Sequence, residues 1–171
     1  MIKSSLPTAI DLFSGAGGTG LGFIQCGYNI LGAVELDKYA AETYEKNLDI
    51  GVTQVDIREL EPKNFRETLN LKRGELDVLV GCPPCQGFSQ MRVIDGSNHK
   101  DNDLVLIYLE FVKEFLPKFA VFENVPGLIK KLYGRVFFDK LCQSLQELGY
   151  TLVHQLVDVV DYGVAQHRKR V

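Results

Sequence analysis

The sequence lacks tryptophan entirely and has two methionines in 171 residues. It also lacks any apolar run approaching the ~20 residues that a membrane span needs. Residues 1–7 hold one lysine and no long apolar stretch, so nothing opens like a secretory signal. These absences predict an intracellular, cytoplasmic chain. Cysteine is sparse. Cys26, Cys82, Cys85 and Cys142 do not form the dense, even framework of a disulfide-stapled secreted domain, and thiols are expected. A basic surplus is missing too: the net charge is −3 and the isoelectric point near 5.6. Free-standing nucleic-acid binders usually carry such a surplus, so composition by itself argues mildly against one. The one basic cluster, His167-Arg168-Lys169-Arg170, reads in isolation as a solvated tail. What is present is enough for a core: 46% of residues are hydrophobic, and the length suits one domain. With no repeat, low-complexity segment or linker, residues 1–171 are expected to form a single domain.

Apolar runs alternate with helical patterns along the chain. Strands are predicted at 8–13, 28–34, 53–56, 77–80 and 119–122, the last as a buried strand. Helices are predicted at 21–26, 38–47, 65–71, 104–116 and 135–148. In the second of these helices Tyr39, Thr43 and Tyr44 are placed on one face. The stretch from Cys82 to Asp101 has turn residues and no period; structureless loops of that length in a compact domain are usually functional or disordered. A closing strand pair is expected over 152–160 and 164–171. Alternation of this kind implies an α/β fold with a mostly parallel sheet and an antiparallel C-terminal strand pair. Ligands of such sheets sit beyond the strands' carboxyl ends. Phe13, the glycine loop, Glu35, Asp56, the segment 81–86 and Glu123-Asn124 all fall there.

Four segments carry chemistry. Gly15-Ala16-Gly17-Gly18-Thr19-Gly20 lies between strand and helix, with Glu35 twenty residues beyond Gly15. This is a nucleoside-cofactor fingerprint: glycines admit a close ligand, and a carboxylate at the next strand end accepts from a ribose diol. It does not identify the nucleotide, and Phe13 at the strand tip either stacks on the cofactor or caps the core. Cys82-Pro83-Pro84-Cys85 admits three readings. A redox pair normally opens a helix directly, whereas Gly87 and loop follow here. A zinc half-site lacks its second half. A single nucleophilic thiol on a proline-stiffened bend suits the spacing. Glu123 follows four apolar residues, and desolvation there is expected to favour a neutral carboxyl able to donate a proton. On a strand, Gln166, Arg168 and Arg170 share one face, fit for an anion or a polar base edge.

Together these segments resemble the cytosine-C5 DNA methyltransferase family, in the family's order from Asp11 to Val171. Asp11-Leu12-Phe13-Ser14-Gly15-x-Gly17-Gly18 is similar to its first motif, Glu35-Leu36-Asp37 to the second and Asp56-Ile57 to the third. Pro84-Cys85-Gln86-Gly87-Phe88-Ser89 resembles the nucleophile motif, Glu123-Asn124-Val125 the acid motif, and Gln166-x-Arg168-x-Arg170-Val171 the arginine motif. The resemblance implies a Rossmann-like S-adenosylmethionine-dependent methyltransferase fold, with S-adenosyl-L-methionine as cofactor and S-adenosyl-L-homocysteine as product. Phe13 would stack near its adenine, Glu35 with Leu36 hold the ribose, and Asp56 with Ile57 read the adenine edge. Gly15, Gly17 and Gly18 would face its methionine portion.

The catalytic set implied is Cys85, Glu123, Arg168 and Arg170, acting on cytosine flipped out of double-stranded DNA. The loop 88–101 would close over the base. No metal is implied, and nucleoid association is expected in a prokaryote. The family continues past the arginine motif into a target-recognition domain and two last motifs, which these residues do not include. A split enzyme with a second chain, a truncated enzyme and a processed fragment are all compatible with that. Methylation of RNA cytosine, a nicotinamide-dependent oxidoreductase and a non-catalytic partner module are the competing readings. The oxidoreductase reading leaves Cys85, Glu123 and the arginines without a joint purpose, and the intact motif residues argue against a decayed module.

Overall fold

The structure is a computed structural model and describes residues 6–84 and 103–171. Cys85, and with it the expected closing loop 88–101, lies outside the described residues. The chain divides into two compact units, one holding the residues up to Cys82 with Glu110–Phe122, the other Pro83–Leu109 with Glu123–Val171.

The first unit is built on a five-stranded parallel sheet. Its strands are β1 (Thr8–Leu12), β2 (Asn29–Glu35), β3 (Val52–Gln54), β4 (Val78–Gly81) and β5 (Phe119–Phe122), ordered β3-β2-β1-β4-β5. Helices α1 (Gly18–Gln25), α2 (Lys38–Leu48) and α3 (Pro62–Thr68) intervene. The order reverses between β1 and β4, which makes their carboxyl ends the expected ligand edge. Ala9, Ile10, Leu12, Ala33 and Leu79 are fully buried, as strands covered on both faces require. A second apolar group forms where Phe65 meets Phe111 and Phe115 at ring distances of 6.3 and 6.1 Å. The expected mostly parallel α/β sheet is therefore present.

Three local expectations are corrected. Helix α1 begins at Gly18, three residues before Leu21, because the last glycines of the loop are already helical. The buried face of α2 is Ala41 and Tyr44, whereas Tyr39 is 75% exposed; the five-residue step from Tyr39 to Tyr44 turns the two rings well apart on a 3.6-residue helix. Strand β5 is not buried. It ends the sheet, and Phe119 and Val121 are exposed.

Close packing explains two glycines of the loop. Gly17 has φ 101°, a left-handed conformation that side chains disfavour. A Cβ on Gly20 would run into the Tyr44 hydroxyl. Tyr44 is itself fully buried and anchors α2 beneath the loop.

The second unit contains the first half of helix α4 (Leu104–Phe115), the short α5 (Gly127–Lys130) and α6 (Leu132–Glu147). Its antiparallel pair is β6 (Val157–Asp158) with β7 (Lys169–Arg170). This pair is shorter than the apolar pattern predicts. Between its arms the chain instead makes a 3-10 turn, Val159–Tyr162. Asp158 ties the arms together by accepting from the Arg168 amide at 2.9 Å. Helices α5 and α6 meet so closely that a Cβ on Gly134 would lie 2.6 Å from the Gly127 carbonyl oxygen. Among the described residues no helix is long and apolar enough to cross a membrane.

Candidate active site

In the first unit the chain leaves β1 through Phe13, whose φ of 58° is left-handed. A non-glycine residue held there costs about 1–3 kcal/mol, strain that recurs at functional sites. The glycine loop is then fixed by Glu35. Its Oε2 accepts from the Gly15 amide at 2.8 Å and its Oε1 from the Asp37 amide at 2.8 Å. A carboxylate has about four lone-pair sites, so both oxygens retain capacity for a ribose diol. Beside Glu35, Leu36 is 60% exposed, an apolar surface next to a polar anchor.

Asp56 caps the turn Ile57–Glu59 through the Arg58 amide at 3.0 Å, and the Arg58 guanidinium lies 3.2 Å from its Oδ2. Ile57 is buried. The pairing of Asp56 with Arg58 lies outside the sequence expectations; a basic residue two positions after the acid is its signal. At the end of β4, the Cys82 amide donates to the Leu12 carbonyl at 3.3 Å, and its sulfur lies 3.8 Å from the Thr19 hydroxyl.

Asp11 enters the sequence expectations only as part of a motif, yet it is fully buried. Burial pushes its carboxyl up to about 7, and the nearby Glu35 charge adds to this, against hydrogen bonds from the Gly20 amide and the Tyr44 hydroxyl. The Tyr44 hydroxyl donates to Asp11 Oδ2 at 3.5 Å. Burial, and Asp11 beside it, push that hydroxyl up in turn. Among the described residues, Asp11 Oδ1 and Ser14 Oγ are buried with no hydrogen-bond partner. Orphaned buried oxygens are rare and call for a reason. At a glycine loop, a polar ligand supplies one.

In the second unit Glu123 Oε1 lies 2.7 Å from Arg170 Nε. The Glu123 side chain keeps 40% exposure, more than the apolar run before it led us to expect. Asn124, 1% exposed, follows it. Its Nδ2 donates to the Pro83 carbonyl at 3.2 Å, and its backbone exchanges hydrogen bonds with Val171 at 2.8 and 2.9 Å. This one unit thus gathers the acid, Arg170 and the proline stretch that leads into Cys85. Arg168 is held by its backbone, its side chain exposed, and His167 Nδ1 lies 3.3 Å from Asp158 Oδ2. The single arginine face inferred from strand alternation is not formed over Gln166–Arg170, because the strand covers Lys169–Arg170 alone.

A reversed parallel strand order with a glycine loop and acidic partner at its centre defines a Rossmann-like fold, here of the S-adenosylmethionine-dependent methyltransferase class. The chain belongs to the C-5 cytosine-specific DNA methylase family, whose model matches residues 8–171. It is 42% identical over 166 residues to Type II methyltransferase M.AgeI of Thalassovita gelatinovora, covering 95% of this chain and 38% of that protein. It is 38% identical over 162 residues to Type II methyltransferase M.FnuDI of Fusobacterium nucleatum, covering 95% of this chain and 44% of that one. A solved DNA modification methyltransferase encoded within an E. coli prophage superposes with a TM-score of 0.82 at 30% identity, covering 96% of this chain and 44% of its own. The chain therefore spans less than half the length of these relatives.

Proposed function

We propose that this chain carries the cofactor pocket and catalytic residues of an enzyme that methylates C5 of cytosine in double-stranded DNA. The observation that supports it most is the contact set of the second unit. There Glu123 pairs with Arg170, and Asn124 grips the carbonyl two residues before Cys85. A nicotinamide oxidoreductase would have no use for that set.

The residues at the glycine loop fit S-adenosylmethionine. Glu35 and Leu36 would hold the ribose, Phe13 the adenine face, and Asp56 with Ile57 the adenine edge. Gly15, Gly17 and Gly18 would border the amino-acid portion, with the orphaned oxygen of Ser14 on the same loop and that of Asp11 in β1. When bound, the cofactor supplies an electrophilic methyl group. The chain's own residues prepare the carbon that takes it. Cytosine C5 is a poor nucleophile within an aromatic ring. The Cys85 thiolate adds to C6, forming a C–S bond and sending the ring's electron pair towards C5 and N3. Glu123 places a proton at N3 and absorbs that charge. Arg170, released from Glu123, steadies the base oxygen or the neighbouring phosphate, and Arg168, exposed beside it, suits phosphate. Once C5 has received the methyl group, its proton passes to water, the electron pair left behind re-forms the C5–C6 double bond and expels Cys85 as the thiolate, and the N3 proton returns to Glu123.

A carboxylate that accepts from a ribose diol contributes about 1.5–3 kcal/mol per hydrogen bond. Glu35→Gln is therefore expected to weaken S-adenosylmethionine binding about tenfold or more, measured by calorimetry. Unchanged affinity would move the ribose anchor elsewhere. The functional reading itself is tested with methyl-labelled S-adenosylmethionine and this chain, supplied with a complementing carboxyl-terminal half because it spans under half of its relatives. Label is expected at C5 of cytosine in duplex DNA. Label in tRNA instead, or tight binding of NAD in place of S-adenosylmethionine, would overturn it.

A further inference from the structure

We infer that Asp158 is the positioning residue for Arg168, the arginine suited to DNA phosphate in the function proposed above, on which this inference rests. All the groups concerned lie in the second unit. The antiparallel ladder there has two pairs, Val157 with Arg170 and Asp158 with Lys169. A hairpin so short is marginal by itself, and Arg168 lies one position outside it. Arg170 has further ties: its Nε meets Glu123 Oε1 at 2.7 Å, and the next residue, Val171, exchanges backbone hydrogen bonds with Asn124. Arg168 shares neither tie, and its side chain is exposed.

What orders Arg168 is its main chain. Its amide donates to Asp158 Oδ1 at 2.9 Å, and its carbonyl accepts from the Val159 amide at 3.0 Å. With the peptide groups on both sides of one residue held, the direction of its Cα–Cβ bond is set, and only the side-chain torsions stay free. The Asp158 carboxylate therefore stands in for a strand carbonyl and extends the ladder by one residue, to Arg168. It also closes the base of the turn that runs through Val159–Tyr162 and the left-handed Gly163. The Asp158 side chain is 14% exposed, whereas its other partner, His167, is 84% exposed. An ion pair that open contributes little, so the bond to the Arg168 amide is the one that matters. A guanidinium carried on a held backbone has less freedom to lose when it meets a phosphate than one on a loose backbone.

The test has two parts. The first is amide hydrogen exchange of this chain alone, read residue by residue by NMR. Asp158→Ala is expected to speed exchange of the Arg168 amide about tenfold or more and to leave the Val171 amide within about twofold. Asp158→Asn keeps an acceptor and is expected to keep the protection. The second is binding of duplex DNA by the chain with its complementing half, over a salt series. Arg168→Ala removes one phosphate contact, so the slope of log affinity against log salt is expected to fall by about 0.9. Asp158→Ala is expected to weaken binding about threefold or more and to raise KM for DNA alike, with turnover and S-adenosylmethionine affinity within about twofold. The double variant is expected to bind as Arg168→Ala does, because Asp158 acts through Arg168. Asp158→Asn is expected to match wild type within about twofold throughout.

An Arg168 amide that exchanges at the wild-type rate in Asp158→Ala overturns the inference. So does an equal gain in exchange at Val171, which would mean general loosening of the unit. Losses of the two single variants that multiply in the double variant, or an Asp158→Asn protein as impaired as Asp158→Ala, overturn it as well. If the wild-type assembly binds no duplex DNA, the functional reading fails, and the exchange rates alone decide the role of Asp158.

Discussion

Replacing Cys85 by alanine is expected to reduce methyl transfer about a thousandfold or more, leaving S-adenosylmethionine affinity within about twofold of wild type. The effect is large because the substrate carbon is not reactive until a nucleophile has added to its neighbour. Electrostatic help from Glu123 and Arg170 stabilises charge that only this addition creates, so neither can replace the thiol. The cofactor anchors proposed above, by contrast, are Phe13, the glycine loop and Glu35, all in the first unit. Binding and chemistry should therefore separate cleanly in this variant. Equal turnover in alanine and wild-type proteins would remove Cys85 from the mechanism.

The second large effect concerns stability. Asp11 is buried, and its carboxyl is pushed from 3.8 up to about 7. Between about pH 4 and 7 the folded protein holds a proton that the unfolded chain has released. Stability from this group is thus fully present below the unfolded value and is lost as pH rises through the folded one. Above pH 7 the accumulated cost is on the order of 4 kcal/mol. The amide introduced by Asp11→Asn cannot ionise but keeps an acceptor for the Gly20 amide and the Tyr44 hydroxyl. The variant is expected to unfold at higher urea than wild type at pH 8, by up to about 4 kcal/mol, with little difference at pH 4. A variant less stable than wild type at pH 8 would show that Asp11 is held as a paired carboxylate after all.

The sequence displayed the parts of the fold that depend on local pattern. The apolar runs 8–13, 28–34, 77–80 and 119–122 mark four strands to within a residue or so of their ends, and the glycine loop with Glu35 twenty residues on marks the contact that the structure makes between Glu35 and Gly15. What stayed hidden depends on partners distant in sequence. Glu123 follows an apolar run, but its contact with Arg170, 47 positions later, is what the run could not show, and its side chain keeps 40% exposure. Asn124 draws its meaning from Pro83 and Val171, neither of them near it in the chain. Asp11 did leave a local trace, a carboxylate inside the strand Thr8–Leu12, which only burial or a ligand explains. The exposure of Phe119 follows from β5 lying at the sheet edge, a fact of topology and not of composition.

The most direct measurement of the central claim is covalent trapping. Duplex DNA carrying 5-fluorocytosine is incubated with S-adenosylmethionine, this chain and a complementing carboxyl-terminal half, and the adduct is mapped by peptide mass spectrometry. Fluorine cannot leave C5 as a proton does, so elimination stalls after the methyl group has been received. The account predicts a one-to-one protein–DNA adduct on the peptide containing Cys85, absent without cofactor and absent from Cys85→Ala. Methylation of ordinary cytosine accompanied by no adduct, or by an adduct on a different residue, would contradict it.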